Sequence, residues 1–424
     1  MGHLITAIGA NGEIAAIWTI TTCATLGILV RPFRWPEAVW AVAAAALILI
    51  FGLLPAAQVL AAVLKGTDVY LFLFGMMLLS EIARREGLFD WIAALAVNAA
   101  RGSAQRLFLL VYLVGVISTT FLSNDATAVV LTPAVFAAAR KAKADPLPLL
   151  FVCAFIANAA SFVLPISNPA NIVLYGDHTP PLLQWLLRFT LPSLLSIATT
   201  YAMLRFNQRE ALRAPCEARV EAAPLSGGGL AAMIGLGLTA LVLMIVSALD
   251  MRLGLPTAIL GIATALVVLI RQRASPVPLL REVSWSVLPL VAGLFVLVEA
   301  LNRIGVVAAL ARALEQGARQ SEAAIAAIAG GAIAVGSNVV NNLPAGLLAS
   351  SAIADGHLPQ RIIDTLLIGV DLGPNLSITG SLATVLWLGV IRREGEDVGF
   401  WRFLRVGIWV MPPALLLAIA ARLL

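Results

Sequence analysis

The sequence predicts an all-α polytopic membrane protein built as two inverted-topology repeats, each with a re-entrant hairpin and a broken transmembrane helix. Three observations predict it. Of 424 residues, 60% are hydrophobic and 12% charged, against roughly 25% charged in soluble domains, and mean hydropathy is +0.95. Apolar runs long enough to cross a hydrocarbon core, roughly 17 to 20 residues, recur from end to end, as in 38–54, 230–249 and 284–301. A set of polar residues in the first half also returns in the second at a nearly fixed spacing. No ten-residue alternating pattern accompanies these runs, so the spans are helices and not barrel strands.

The elements follow in order. Residues 1–204 form the first repeat, with spans near 11–30, 38–54 and 67–83. Met1–Gly2–His3 lacks the basic start of a cleaved signal, so the first run reads as a resident span. The stretch 107–140 is apolar on both arms but polar at Ser123–Asn124–Asp125, as expected of a hairpin that reaches the midplane and returns. A broken helix over 147–176 and a span near 181–203 complete the repeat. Residues 205–229 hold Arg205, Arg209, Arg213 and Arg219 and then Ser226–Gly227–Gly228–Gly229, and read as a cytoplasmic linker with a flexible end. The second repeat, 230–424, has spans near 230–249, 255–270 and 284–301, a hairpin over 322–354, a broken helix over 362–390 and a last span near 403–421.

The halves match locally. Glu81, Arg85 and Gly87 correspond to Glu299, Arg303 and Gly305 at an offset of 218, which also places Ser123–Asn124 on Asn341–Asn342. Asn158 falls on Asp371 at an offset of 213. Weak internal symmetry of this kind is the usual mark of a repeat-built transporter. Five crossings before the linker invert the second half. With the linker inside and the amino terminus outside, most basic residues fall on the cytoplasmic face, including Arg84, Arg85, Arg140, Lys141, Arg392 and Arg393, as the positive-inside bias requires.

Polar residues at membrane depth are costly and need a partner or a task. Four clusters contain them: Thr119–Thr127 around Ser123, Asn124 and Asp125; Ser337–Pro344 around Asn341 and Asn342; Asn158 to Asn171 with Pro165, Asn168 and Pro169; and Asp371 to Thr384 with Pro374, Asn375, Thr379 and Ser381. Proline breaks a helix and removes a donor. The freed backbone groups then need a small polar cavity, and half-helix ends aimed at one point suit an ion or polar solute. Taken singly, each cluster also reads as a kink sealed by local Asn and Ser hydrogen bonds; four of them paired by a repeat favour a shared site. Asp125 and Asp371 are the acids in these clusters. A carboxylate out of water can take up and release a proton during a transport cycle, which makes both candidates for proton coupling; the alternative is an aspartate capping a half-helix. Glu81 and Glu299, each four residues before an arginine, read as structural ion pairs with Arg85 and Arg303.

Several classes are excluded. Cys23, Cys153 and Cys216 are scattered and form no metal pattern. His3, His178 and His357 fall in predicted external segments, and no metal or cofactor is expected. No P-loop, Gly-x-Ser-x-Gly or His-Glu-x-x-His motif occurs, so ATP hydrolysis and intramembrane enzymology have no support. The basic balance encodes orientation, not nucleic-acid binding.

The run Phe121–Leu122–Ser123–Asn124–Asp125–Ala126–Thr127, with Leu164–Pro165–Ile166–Ser167–Asn168, Asn341–Asn342–Leu343–Pro344, Gly373–Pro374–Asn375–Leu376 and Thr379–Gly380–Ser381–Leu382–Ala383–Thr384, resembles the ion transporter superfamily and, within it, the ArsB-type arsenite permeases. The resemblance covers nearly the whole chain. It implies export of arsenite and antimonite across a bacterial or archaeal inner membrane, driven by proton influx; some members work with a soluble ArsA-type ATPase, and many relatives form homodimers. By the match, Ser123, Asn124, Asp125, Asn341, Asn342, Asp371 and Asn375 are the expected site. Thr127, Asn158, Asn168, Thr379 and Ser381 join them from the clusters. Asn168–Pro169–Ala170–Asn171 departs from the arsenite branch toward the wider superfamily. Arsenite at neutral pH is mainly the uncharged trihydroxide, which needs hydrogen-bond partners and no counter-ion, and the clusters hold Asn, Ser, Thr and Asp without Arg, Lys or His. The competing readings on the same scaffold are a sodium/proton antiporter or a small inorganic anion transporter; a passive channel is a different class.

Overall fold

A computed structural model describes residues 10–176, 179–221 and 223–424; Met1–Gly2–His3 and His178 lie outside the described residues. The first half runs α1 (Ala10–Val30), α2 (Glu37–Ile50), α3 (Ala56–Lys65), α4 (Thr67–Arg85), α5 (Leu88–Ala100), α6 (Ala104–Leu122), α7 (Thr132–Lys141), α8 (Pro146–Ala159), α9 (Pro169–Tyr175) and α10 (Leu182–Asn207). The second runs α11 (Gly227–Ala248), α12 (Gly254–Gln272), α13 (Pro276–Glu282), α14 (Val287–Arg303), α15 (Val306–Gln320), α16 (Glu322–Val340), α17 (Asn342–Asp355), α18 (Gln360–Leu372), α19 (Leu382–Arg393) and α20 (Phe400–Leu423). Among the described residues, seven helices are long and apolar enough to cross a membrane. The count is nine if each bent pair, α3 with α4 (45°) and α13 with α14 (41°), is one span. The polytopic all-α class predicted from composition is therefore the one observed.

Local structure carries the spacing read from the sequence. Both α6 and α16 have 19 residues. Each starts after a serine cap, Ser103 or Ser321, whose hydroxyl accepts from the amide three residues on. Each ends at a residue of positive φ, Ser123 (φ 117°) or Asn341 (φ 73°), 218 positions apart. The later breaks match at 213: a short 3-10 turn at Pro165–Ser167 or Ile378–Gly380 leads into a helix capped by Asn168 or Ser381.

The halves interlock. Helix α4 crosses α12, and α14 crosses α2, so each half's bent helix packs on the other half's second span. Glycines set the approach. A Cβ on Gly75 would lie 2.3 Å from the Thr257 carbonyl oxygen, and one on Gly293 would lie 2.7 Å from the Ala41 backbone. Small residues at such crossings let backbones touch where lipid supplies no hydrophobic drive.

Two expectations are corrected. Gly227–Gly229 are not a loose tether: they are the first turn of α11, capped by Ser226, whose hydroxyl accepts from the Gly229 amide at 2.8 Å. The turn is packed: a Cβ on Gly228 would meet the Glu86 carboxylate and the Gln272 amide. Upstream, the linker is pinned to the first half: Asn98 exchanges two hydrogen bonds with the Val220 backbone (3.1 and 2.8 Å), and the Cys216 and Glu217 amides donate to the Gly102 and Ala142 carbonyls. Lastly, the ion pairs are not the i,i+4 ones. Glu81 pairs with Arg84, which also reaches Glu282; Glu299 pairs with Lys65 at 2.8 Å, and Arg303 with Glu13 at 2.8 Å. Tertiary neighbours on α13, α3 and α1 bring these partners.

Candidate functional site

The first tip lies at Ser123, between α6 and a helical turn Asn124–Ala126 that continues through a π-helical turn, Thr127–Leu131, into α7. Ser123, at φ 117° and ψ 162°, occupies backbone space that costs a non-glycine residue about 1–3 kcal/mol. Its hydroxyl accepts from the Ala126 amide at 3.4 Å, and the Asn124 side-chain oxygen accepts from the Asp125 amide at 2.9 Å. Behind the tip, Thr119 donates to Thr127 (2.9 Å), which donates to Ser118 (3.1 Å). Thr127 is therefore locked into the tip's scaffold.

The second tip is built alike at Asn341, whose side-chain oxygen accepts from the Leu343 amide at 3.3 Å. Its amide donates to the Thr379 carbonyl at 3.3 Å. Asn338 is the hub here: it donates to the Gly373 carbonyl (3.0 Å) and accepts from Ser377 (2.8 Å), while Thr379 donates to its carbonyl (3.0 Å). Asn342 is buried beside it. Ser381 and Thr384 form a reciprocal capping box at the start of α19.

Three hydrogen bonds join the halves at their breaks. Asn158 donates to the Asn375 side chain at 3.0 Å, and Asn375 in turn donates to the Phe155 carbonyl at 2.9 Å. Asn168 donates to Asp371 at 2.8 Å and caps α9 by accepting from the Ala170 amide at 3.0 Å. All four of these side chains are buried. The second Asp371 oxygen and the Asn158 oxygen have no hydrogen-bond partner among the described residues. Asn171 seals the first break with contacts to the Ser161, Leu164 and Pro165 carbonyls.

Asp125 is placed differently from Asp371. It lines a crevice of about 80 Å3 together with Ser80, Glu81, Ser123, Glu282 and Ser284. Among the described residues, no Arg, Lys or His lines it. The corresponding small cavity at the second tip has Leu343 and Pro344 beside Asn341, and Leu343 stands 218 positions from Asp125. The two tips are thus alike in backbone and differ at this position, although Glu37, paired with Arg31, also lines the second cavity. The structure brings Asn158, Asn168, Asp371 and Asn375 together across the halves and sets Ser123 and Asp125 on the crevice; Asn341 and Thr379 share the second cavity.

Some residues escaped the sequence reading. Glu81 was assigned a structural role only, yet it lines the crevice as well as pairing with Arg84. Glu282 and Ser284 reach the crevice from the second half, and no local motif marks them. The buried Asp364 accepts from Tyr175 (2.7 Å), Gln360 (2.8 Å) and Arg422 (2.6 Å). This network ties α9, α18 and α20 together; its members lie far apart in sequence.

A model of the family described as citrate transporters matches residues 17–368. The arsenical pump membrane protein of Yersinia enterocolitica is 27% identical over 358 residues, covering 82% of this chain and 83% of that protein; its Escherichia coli counterpart is 26% identical over the same length and coverage. An uncharacterized transporter of Mycobacterium tuberculosis is 29% identical over 367 residues, 83% of this chain and 84% of that protein. The crystal structure of the Alcanivorax borkumensis YdaH transporter, described as having an unusual topology, matches 95% of this chain and 98% of that chain with a TM-score of 0.58 at 15% identity, a likeness of fold.

Proposed function

The chain belongs to the citrate transporter (CitMHS) family of membrane transporters, and from that premise we propose that it exports arsenite and antimonite from the cytoplasm in exchange for protons. The observation that carries the choice of solute is the lining of the crevice and breaks: amide, hydroxyl and carboxylate groups, with no cation among the described lining residues. Citrate is best held by free positive charge opposite its carboxylates; the crevice offers Asp125 with Glu81 and Glu282, and the guanidinium of Arg84 beside it is already engaged by both glutamates. A neutral trihydroxide is held by neutral donors and acceptors. The names of the arsenical pump relatives point the same way.

In this reading, Ser123, Asn124, Asn341, Asn342, Asn375, Thr379 and Ser381 bind the solute, with Thr127, Asn158 and Asn168 shaping the site. Asp125 and Asp371 couple it to protons. The cycle is alternating access: release of a proton to the cytoplasm permits arsenite to bind, and movement of the hairpin-bearing elements exposes it outside. The amino terminus lies outside and the linker inside. The acidic crevice also favours a second reading, a sodium/proton antiporter on the same scaffold. Uptake assays in inside-out vesicles with arsenite, citrate and sodium as alternative solutes test the assignment. Accumulation of arsenite alone supports it; accumulation of sodium or citrate without arsenite overturns it.

A further inference from the structure

Two consecutive methionines, Met76 and Met77, line the crevice at Asp125. They are the one adjacent pair among the chain's eight methionines. Met76 is buried and Met77 half-buried. Both stand on α4, four and three residues before Ser80, so the three are neighbours on one helix surface, and Ser80 lines the crevice too. Opposite α4 come Ser123 and Asp125 from the first tip and Ser284 from the second half. Helix α4 touches both the turn Asn124–Ala126 and α14.

The rest of the apolar wall carries no sulfur: Leu73, Val129, Val283, Val287 and Leu386 are typical of it. Leucine matches methionine in volume and in helix propensity, so packing alone gives no reason for sulfur at two successive positions. Sulfur adds a chemistry. A thioether is soft, polarizable and uncharged, and it carries no proton. Soft donors select soft centres, and trivalent arsenic and antimony are soft. Their trihydroxides present hard O–H groups on the oxygens and a soft atom open to donors opposite each bond to oxygen. A site for such a solute is served by hydrogen-bonding groups on one side and soft donors on another. The crevice holds both within about 80 Å3, room for roughly three waters. None of the three cysteines lines it.

We infer that Met76 and Met77 determine specificity in this crevice: their thioethers contact the arsenic or antimony atom while Ser80, Ser123 and Ser284 take the hydroxyls. This rests on the arsenite reading and adds to it the groups that recognise the metalloid itself. No bond to the solute forms or breaks, so the contact is given up freely on release, as a thiolate bond would not be.

The test separates sulfur from shape. Initial uptake of arsenite and of antimonite into inside-out vesicles gives a half-saturation concentration and a maximal rate for wild type, Met76→Leu, Met77→Leu and the double variant. Each single change is expected to raise half-saturation roughly two- to tenfold, the scale of one sulfur contact, with the maximal rate held and antimonite, the softer solute, losing more. Wild-type protein grown with selenomethionine keeps its shape and gains softness, so its half-saturation should fall; in the double variant, selenium should change nothing. Gel filtration certifies folding, and Met77→Leu with the selenium comparison carries the test if Met76→Leu does not fold. Arsenite uptake with constants untouched by the leucine changes, or a selenium effect that survives in the double variant, overturns the methionine assignment and leaves arsenite export standing. A folded wild type that takes up neither solute overturns both.

Discussion

Asn168 does two jobs that can be separated by substitution. Its oxygen caps α9 and its amide is the donor to Asp371, whose other oxygen has none. Asn168→Ala removes both. Losing the cap costs about 0.5–2 kcal/mol, and leaving a buried acceptor without its donor costs about 1–3 kcal/mol, for a total of roughly 2–5 kcal/mol. Asn168→Ser keeps a cap but is too short to reach Asp371, so it loses only the second part. Melting midpoints of purified protein in detergent should fall in the order wild type, Asn168→Ser, Asn168→Ala. Asp371→Leu should cost less in the Asn168→Ala background than in the wild type, with a coupling of about 0.5–3 kcal/mol. If Asn168→Ser melts with the wild type and the two changes are additive, the bond does not clasp the halves and the reasoning fails.

Two further outcomes follow from the same geometry. Gly75→Ala, whose Cβ would sit 2.3 Å from the Thr257 carbonyl oxygen, should sharply lower the yield of folded protein, while Gly237→Ala, with open space around it, should not; equal yields in fluorescence-detected gel filtration would contradict the crossing of α4 and α12. Because Cys23, Cys153 and Cys216 are free and scattered along the sequence, a folded cysteine-free variant should retain arsenite transport in vesicles, and complete loss would point to thiol ligation.

Much of the scaffold was legible because the bilayer demands long apolar runs, and Pro, Gly and Asn within them mark the breaks. The positions of α6, α8, α16 and α18 follow from that. The offset of 218 was visible at Glu81 and Glu299 because those residues sit at equivalent helix ends. What stayed hidden depends on tertiary neighbours. Helix α15 carries Arg312, Glu315 and Arg319, so it makes no apolar run. The glycines after Ser226 look flexible until Glu86 is seen packed on them. Arg84 rather than Arg85 takes Glu81 because Glu282 arrives from the other half. Of the site, the tips and breaks were readable as residue types. The difference between Asp125, open to a crevice, and Asp371, clasped by Asn168, was not, since both appear in sequence as acids beside a helix break.

Export coupled to protons through Asp125 stands or falls on one experiment. Arsenite uptake into inside-out vesicles, with and without an imposed acid-inside gradient, tests it most directly when wild type is compared with Asp125→Asn. The gradient should drive accumulation in the wild type, and the folded variant should lose this dependence. Gradient-driven accumulation undiminished in Asp125→Asn would contradict the assigned coupling residue, and a folded wild type that never accumulates arsenite would contradict the substrate.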